Sequence, residues 1–121
     1  MNDVEREQLA CGYLRNLDRW HDLQDLVRAD PESAWDVLLR IIKRSPYREL
    51  FLLGAGPLAE LVASGLDRFR ERVIAELRSN PAFLETFRFV RLHEAPVAAR
   101  RELRTAMLVA GVPESDLYDR P

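Results

Sequence analysis

Apolar residues recur along this chain at spacings of three and four, and the runs are cut by three pairs of a capping residue followed by proline: Asp30-Pro31, Ser45-Pro46 and Asn80-Pro81. A short polar side chain accepts a hydrogen bond from the exposed amides of a helix's first turn, and proline fits that turn because no amide hydrogen is needed there. Each pair therefore predicts a boundary between consecutive helices, and the short connections favour antiparallel neighbours.

Leu9, Tyr13, Leu17 and Trp20 share one helical face, which predicts a first helix running to about Arg28 with Trp20 in the core. A second starts at Asp30-Pro31 and buries Trp35, Leu38 or Leu39, and Ile42; a third begins at about Tyr47. Gly54-Ala55-Gly56-Pro57 combines poor helix formers with a residue that cannot donate the internal hydrogen bond, so a break or sharp kink is expected there. Leu58, Leu61 and Val62 restart the pattern, Ser64-Gly65 closes that segment, and Leu66, Phe69, Val73 and Leu77 define another helix. Its other side carries Arg68, Glu71, Arg72 and Glu76, a solvated face. Two more helices follow, about Pro81 to Leu92 and Pro96 to Ala110, the last closed by Gly111.

No segment alternates apolar and polar residues for long, and hairpin dipeptides such as Asn-Gly are absent. The chain reads as all-α, a compact bundle or short array of about six helices built from antiparallel helical hairpins. Arg78-Ser79-Asn80-Pro81 echoes Arg28-Ala29-Asp30-Pro31 fifty positions later. Helix-joining turns reuse this chemistry, so the echo is read as turn chemistry rather than as an internal repeat.

A length of 121 residues with 47% hydrophobic content fits one domain over 1–121. The formal charge of −2 gives the whole molecule no long-range attraction for polyanions or anionic membranes. Met1 to Gln8 is polar and lacks the basic start and apolar run of an export signal, and no apolar stretch approaches a membrane span. Cys11 has no partner for a disulfide or a redox pair, which fits a reducing compartment; the expected location is the cytoplasm.

Chemistry-bearing patterns are sparse. His21 and His93 have no second ligand at metal spacing, so no metal site is expected. Cys11 lies within a helical pattern and no serine sits in a Gly-x-Ser-x-Gly elbow. Gly54-Ala55-Gly56-Pro57 follows no strand and lacks the Lys-Ser/Thr of a phosphate loop. Neither catalysis nor a cofactor is expected.

Phe83, Phe87 and Val90 form a narrow stripe, whereas Phe89 falls far to one side and needs a second neighbour. The final helix is the first candidate for that neighbour, ahead of an external partner; an off-stripe aromatic is equally compatible with a symmetric dimer surface. Positions 67 to 104 hold nine arginines against six acids. In a nucleic-acid-binding reading Arg88 and Arg91 would lie on a recognition helix, with Arg100, Arg101 and Arg104 on phosphates. The net-negative remainder of the chain weighs against that reading. The leading expectation is instead a cytoplasmic protein-binding module, an adaptor, regulator or immunity-type partner, using Arg88, Phe89 and Arg91 with the acidic Asp18, Asp22 and Asp25.

At Ala34-Trp35, then Leu53-Gly54-Ala55-Gly56-Pro57-Leu58 and Leu61-Val62, the chain resembles a family of small bacterial domains of unknown function, over about residues 20–92. The resemblance implies a helical fold with a terminal aromatic-rich helix and names no activity. Ala59-Glu60 stands where the family pattern often places two acids, so a role needing an acid at position 59 does not carry over. The final helix, about 96–110, lies outside the match.

Overall fold

The computed structural model describes residues 1–45, 50–90 and 95–117, with 50–52 described by their backbone alone. The expected third-helix start near Tyr47 lies outside the described residues. Among the described residues there are seven α-helices and no strand: α1 Asp3–Arg15, α2 Trp20–Ala29, α3 Pro31–Arg44, α4 Leu50–Ala55, α5 Pro57–Ser79, α6 Pro81–Phe87 and α7 Val97–Val109. The all-α expectation holds.

Two of the three cap-plus-proline turns, at Asp30 and Asn80, form as local chemistry dictates, while Pro46 of the third lies outside the described residues. Asp30 accepts from the Ser33 amide at 3.2 Å and from its hydroxyl at 2.6 Å. Asn80 accepts from the Phe83 amide at 3.2 Å. Each cap residue also donates its own amide to the helix before it, Asp30 to Leu26 and Asn80 to Glu76. One residue thus closes one helix and opens the next, which folds α2–α3 and α5–α6 into hairpins. The fifty-residue echo extends into the core, since Leu23 and Val27 are buried, as are Val73 and Leu77. Beyond the turn the likeness fades, because α3 runs 14 residues and α6 only 7.

The two hairpins pack with α2 on α5 and α3 on α6. Aromatic rings fill the seam: Trp35 stacks on Phe69 at 5.4 Å and meets Phe83 edge-on at 5.7 Å, and Phe83 stacks on Phe87 at 5.9 Å. Burying each such side chain contributes about 1.5–3 kcal/mol before conformational entropy is set against it.

The expected first helix is two helices. At Asn16 the backbone turns extended (φ −144°, ψ 99°), its amide closes back on the Gly12 and Tyr13 carbonyls, and its side chain accepts from the Asp18 amide. A single 3-10 turn, Leu17–Arg19, then redirects the chain into α2. Trp20, expected in the core, is consequently 39% exposed.

α1 packs on α3 with Ala10 and Tyr13 buried, and ion pairs line the same contact. An Asn2–Glu5 capping box starts it, and Arg6, Glu7 and Asp3 engage α3 through Arg6–Asp36 (3.2 Å), Arg40–Glu7 (2.8 Å), Arg40–Asp3 (3.1 Å) and Arg44–Glu7. Arg44 first, then Arg40, hold the Glu7 carboxyl below the usual carboxylate range.

Gly56 breaks the chain between α4 and α5, as the Gly-Ala-Gly-Pro sequence predicts. Ser64-Gly65, expected to end a helix, instead marks a kink inside α5, where Gly65 alone leaves helical geometry (φ −133°, ψ 24°). α6 stops at Phe87 rather than at Leu92, because Phe89 and Val90 donate back three residues, to Thr86 and Phe87, and tighten the chain into a turn. Gly111, at φ +102°, closes α7 in the left-handed conformation the sequence indicates.

Candidate functional site

Where α1, the 3-10 turn and α2 meet the α4–α5 break, they leave a cleft of about 250 Å³ lined by Tyr13, Leu17, Trp20, Gln24, Ala55, Gly56 and Pro57. No lining residue carries a formal charge. Its position follows from the two interruptions: Asn16 turns the chain so that Trp20 stands at the rim, and the Gly56-Pro57 break places a short wall of small residues opposite. The Trp20 indole is backed by the His21 ring, with centroids 3.7 Å apart.

The structure does not bring the expected acidic residues into the cleft lining. Asp18 follows the lining residue Leu17, Asp25 follows Gln24, and both are exposed with no ion-pair partner among the described residues. Asp22, also exposed, pairs with Arg19 at 2.8 Å. Arg28, one turn further along α2, is engaged by Glu60 of α5 at 2.7 Å.

The expected basic and aromatic residues take intramolecular places. Arg88 grips Glu85 at 3.1 Å and Asp116 at 2.7 Å, fastening the 3-10 turn Glu114–Asp116 to the end of α6. The half-buried Phe89 backs onto Gly54: a Cβ on that glycine would stand 3.1 Å from the Phe89 Cβ. The expected neighbour was the final helix; α4 supplies this contact. Arg91 and His93 lie outside the described residues.

Arg100, Arg101 and Arg104 are all on α7, with Arg101 exposed and the other two half-buried. Because α6 ends at Phe87, Arg88 lies beyond the helix that the nucleic-acid reading used for recognition. Folding also dilutes the basic segment: Glu32 pairs with Arg72 at 2.6 Å and Asp116 with Arg88, two acids drawn from outside positions 67–104. They reduce its surplus from three charges to one.

No group of three or more metal-ligating side chains gathers among the described residues, and no helix among them is long and apolar enough to cross a membrane. The geometry defines a small all-α domain with an uncharged cleft that is aromatic at its rim. The chain belongs to the family of unknown function DUF6869, whose model matches residues 14–96. That span includes the whole lining of the cleft except Tyr13, and it excludes α7. No curated protein and no solved structure matches the chain.

The cleft itself was not accessible to sequence reasoning. Its signal was present in Asn16, a capping residue lying within an otherwise uninterrupted apolar spacing.

Proposed function

We propose that this chain is a protein-binding module of the bacterial cytoplasm, an adaptor, regulator or immunity-type partner, and that it engages its partner through the Trp20 cleft. One observation carries the reading: a tryptophan 39% exposed at the rim of a concave, uncharged surface. Burying a large apolar ring on association is favourable, and tryptophan anchors in pockets are prominent among residues that dominate protein interfaces. The exposed Asp18, Asp22 and Asp25 lie on the same stretch of chain as Leu17, Trp20 and Gln24 and are the charged residues this reading adds to the cleft.

The test is affinity purification of tagged protein from its native cytoplasm, with and without nuclease, using the wild type and Trp20→Ala in parallel. A protein partner that survives nuclease and disappears with Trp20→Ala is the expected result. Recovery of nucleic acid alone, lost with Arg100→Ala/Arg101→Ala and retained with Trp20→Ala, would overturn the reading in favour of α7.

A further inference from the structure

We infer that the groove between the C-terminal half of α5 and α7 docks an acidic partner segment, one that lays an apolar side chain against the groove and carries carboxylates to either side of it. The groove shares no residue with the Trp20 cleft, so this inference goes beyond the reading above and does not depend on it.

Both helices supply the lining. Ile74 and Arg78 come from α5, and Arg101, Glu102, Ala106 and Val109 from α7, around a volume of about 290 Å³. Ile74, Ala106 and Val109 form its apolar part, and Val109, at 77%, is the most exposed large apolar side chain among the described residues. Covering that surface on association is favourable. The family match ends at residue 96, so the matched span holds only the α5 half of this lining.

The charges of the lining choose the partner. Eight arginines of the described residues hold a carboxylate within the chain. Arg78 and Arg101 are exposed and have no ion-pair partner among the described residues. Glu102, the one carboxylate that lines the groove, is engaged from outside it by Arg70 at 3.6 Å. The other depressions lined by arginine are offset from within: Asp67 lines the one that holds Arg68, and Asp3 and Glu7 line the one that holds Arg15 and Arg19. Two guanidinium forks are therefore left here for carboxylates from outside, a match of charge and of planar geometry. A phosphate backbone would meet the two cations but leave Ile74, Ala106 and Val109 uncovered, and its continuous negative charge would run past Glu102. A segment that alternates acidic and apolar side chains satisfies both parts of the lining.

The experiment titrates the full chain, labelled with nitrogen-15, with synthetic nonapeptides. One carries a central leucine flanked by glutamates, the second the same leucine flanked by glutamines, and the third a central serine flanked by glutamates; a short oligothymidylate is the phosphate probe. Amide shifts locate binding, and their concentration dependence gives its strength. The glutamate-flanked leucine peptide is expected to shift amides of 74–78 and 101–109 and to bind about tenfold more tightly than the glutamine-flanked one at about 0.1 M salt. That advantage should shrink at about 1 M salt, where the screening length falls to about 3 Å, and disappear in Arg78→Gln/Arg101→Gln. Both side chains are exposed, so the spectrum of the core should be unchanged in that variant.

Equal binding by the glutamine-flanked peptide, or a glutamate advantage that survives Arg78→Gln/Arg101→Gln, overturns the charge recognition. Equal binding by the peptide with central serine overturns the apolar contact. Tighter binding of oligothymidylate at the same amides overturns the acidic segment in favour of nucleic acid. Shifts confined to other surfaces, or silence from every probe at millimolar concentration, overturn the inference as a whole.

Discussion

Gly54 of α4 lies directly against the backbone of Thr86 in α6, so closely that a Cβ on the glycine would overlap the Thr86 carbonyl oxygen. Thr86 is fully buried, as are Phe83 and Phe87 on either side of it, so α6 is hemmed in by packed neighbours at this point. Gly54→Ala is therefore expected to destabilise the fold by about 1–3 kcal/mol, the cost of forcing packed backbone apart, despite alanine's better helix propensity. Gly12 supplies the contrast. A Cβ there meets only the end of the Arg19 side chain, which can swing into solvent. Gly12→Ala should change stability by less than about 1 kcal/mol, with a gain favoured by propensity. Denaturant titration of both variants checks the pair, and equal losses would refute the close approach of α4 to α6.

Asn80 closes α5 and opens α6 with one side chain and one amide. Asn80→Ala removes the acceptor for the Phe83 amide at the start of a helix of only 7 residues, at an expected cost of about 1 kcal/mol. Asn80→Ser keeps an acceptor for that amide, gives up only the donation from Asn80 to Glu76 at 3.0 Å and adds no charge beside that carboxylate, so it should recover most of that loss. Thermal unfolding of the three proteins tests the order. If serine is as destabilising as alanine, the cap is not the source of the effect.

The turns at Asp30 and Asn80 and the end of α7 at Gly111 could be read from sequence because their causes are local: a side-chain acceptor, a proline and a glycine within a few positions. Where several positions competed, sequence reasoning went astray. The apolar spacing of Leu9, Tyr13, Leu17 and Trp20 runs straight through Asn16, yet the break there is fixed by Asn16 pairing both backward and forward. The tight turn at Phe89 and Val90 likewise ends α6 although Phe83, Phe87 and Val90 keep helical spacing and are all buried. The cleft was hidden for another reason. Its walls come from residues 13–24 and 55–57, and only tertiary packing brings them together.

Stability should fall on the acid side of neutrality. Glu7, Asp30 and Glu32 are each held below their ordinary values, chiefly by hydrogen bonds from Arg44, Ser33 and Arg72 respectively. A carboxyl depressed in the folded chain binds protons more readily when unfolded. Its contribution is therefore present above the unfolded value near 4 and is lost as pH falls through the lower folded value. Glu7→Gln should melt at a lower temperature than the wild type at about pH 7, and the gap should close below about pH 4 as Glu7 itself becomes protonated. A gap that stays constant down to about pH 2 would show that the Arg40 and Arg44 pairs contribute nothing to stability.

The two tryptophans should separate cleanly in their physical behaviour. Trp35 is 8% exposed and packs against Phe69 and Phe83, so Trp35→Ala is expected to cost about 3–5 kcal/mol, the usual loss for an aromatic removed from a core. Trp20 is 39% exposed and borders open cleft, so Trp20→Ala should cost no more than about 1 kcal/mol. The more conservative Trp35→Phe leaves Trp20 as the sole indole, and its emission should be red-shifted and strongly quenched by acrylamide. In Trp20→Ala the remaining emission should be blue-shifted and protected. Protection of Trp20 in the isolated chain would mean that the cleft is already closed by the protein itself, and a partner would then have to displace that cover before it could bind.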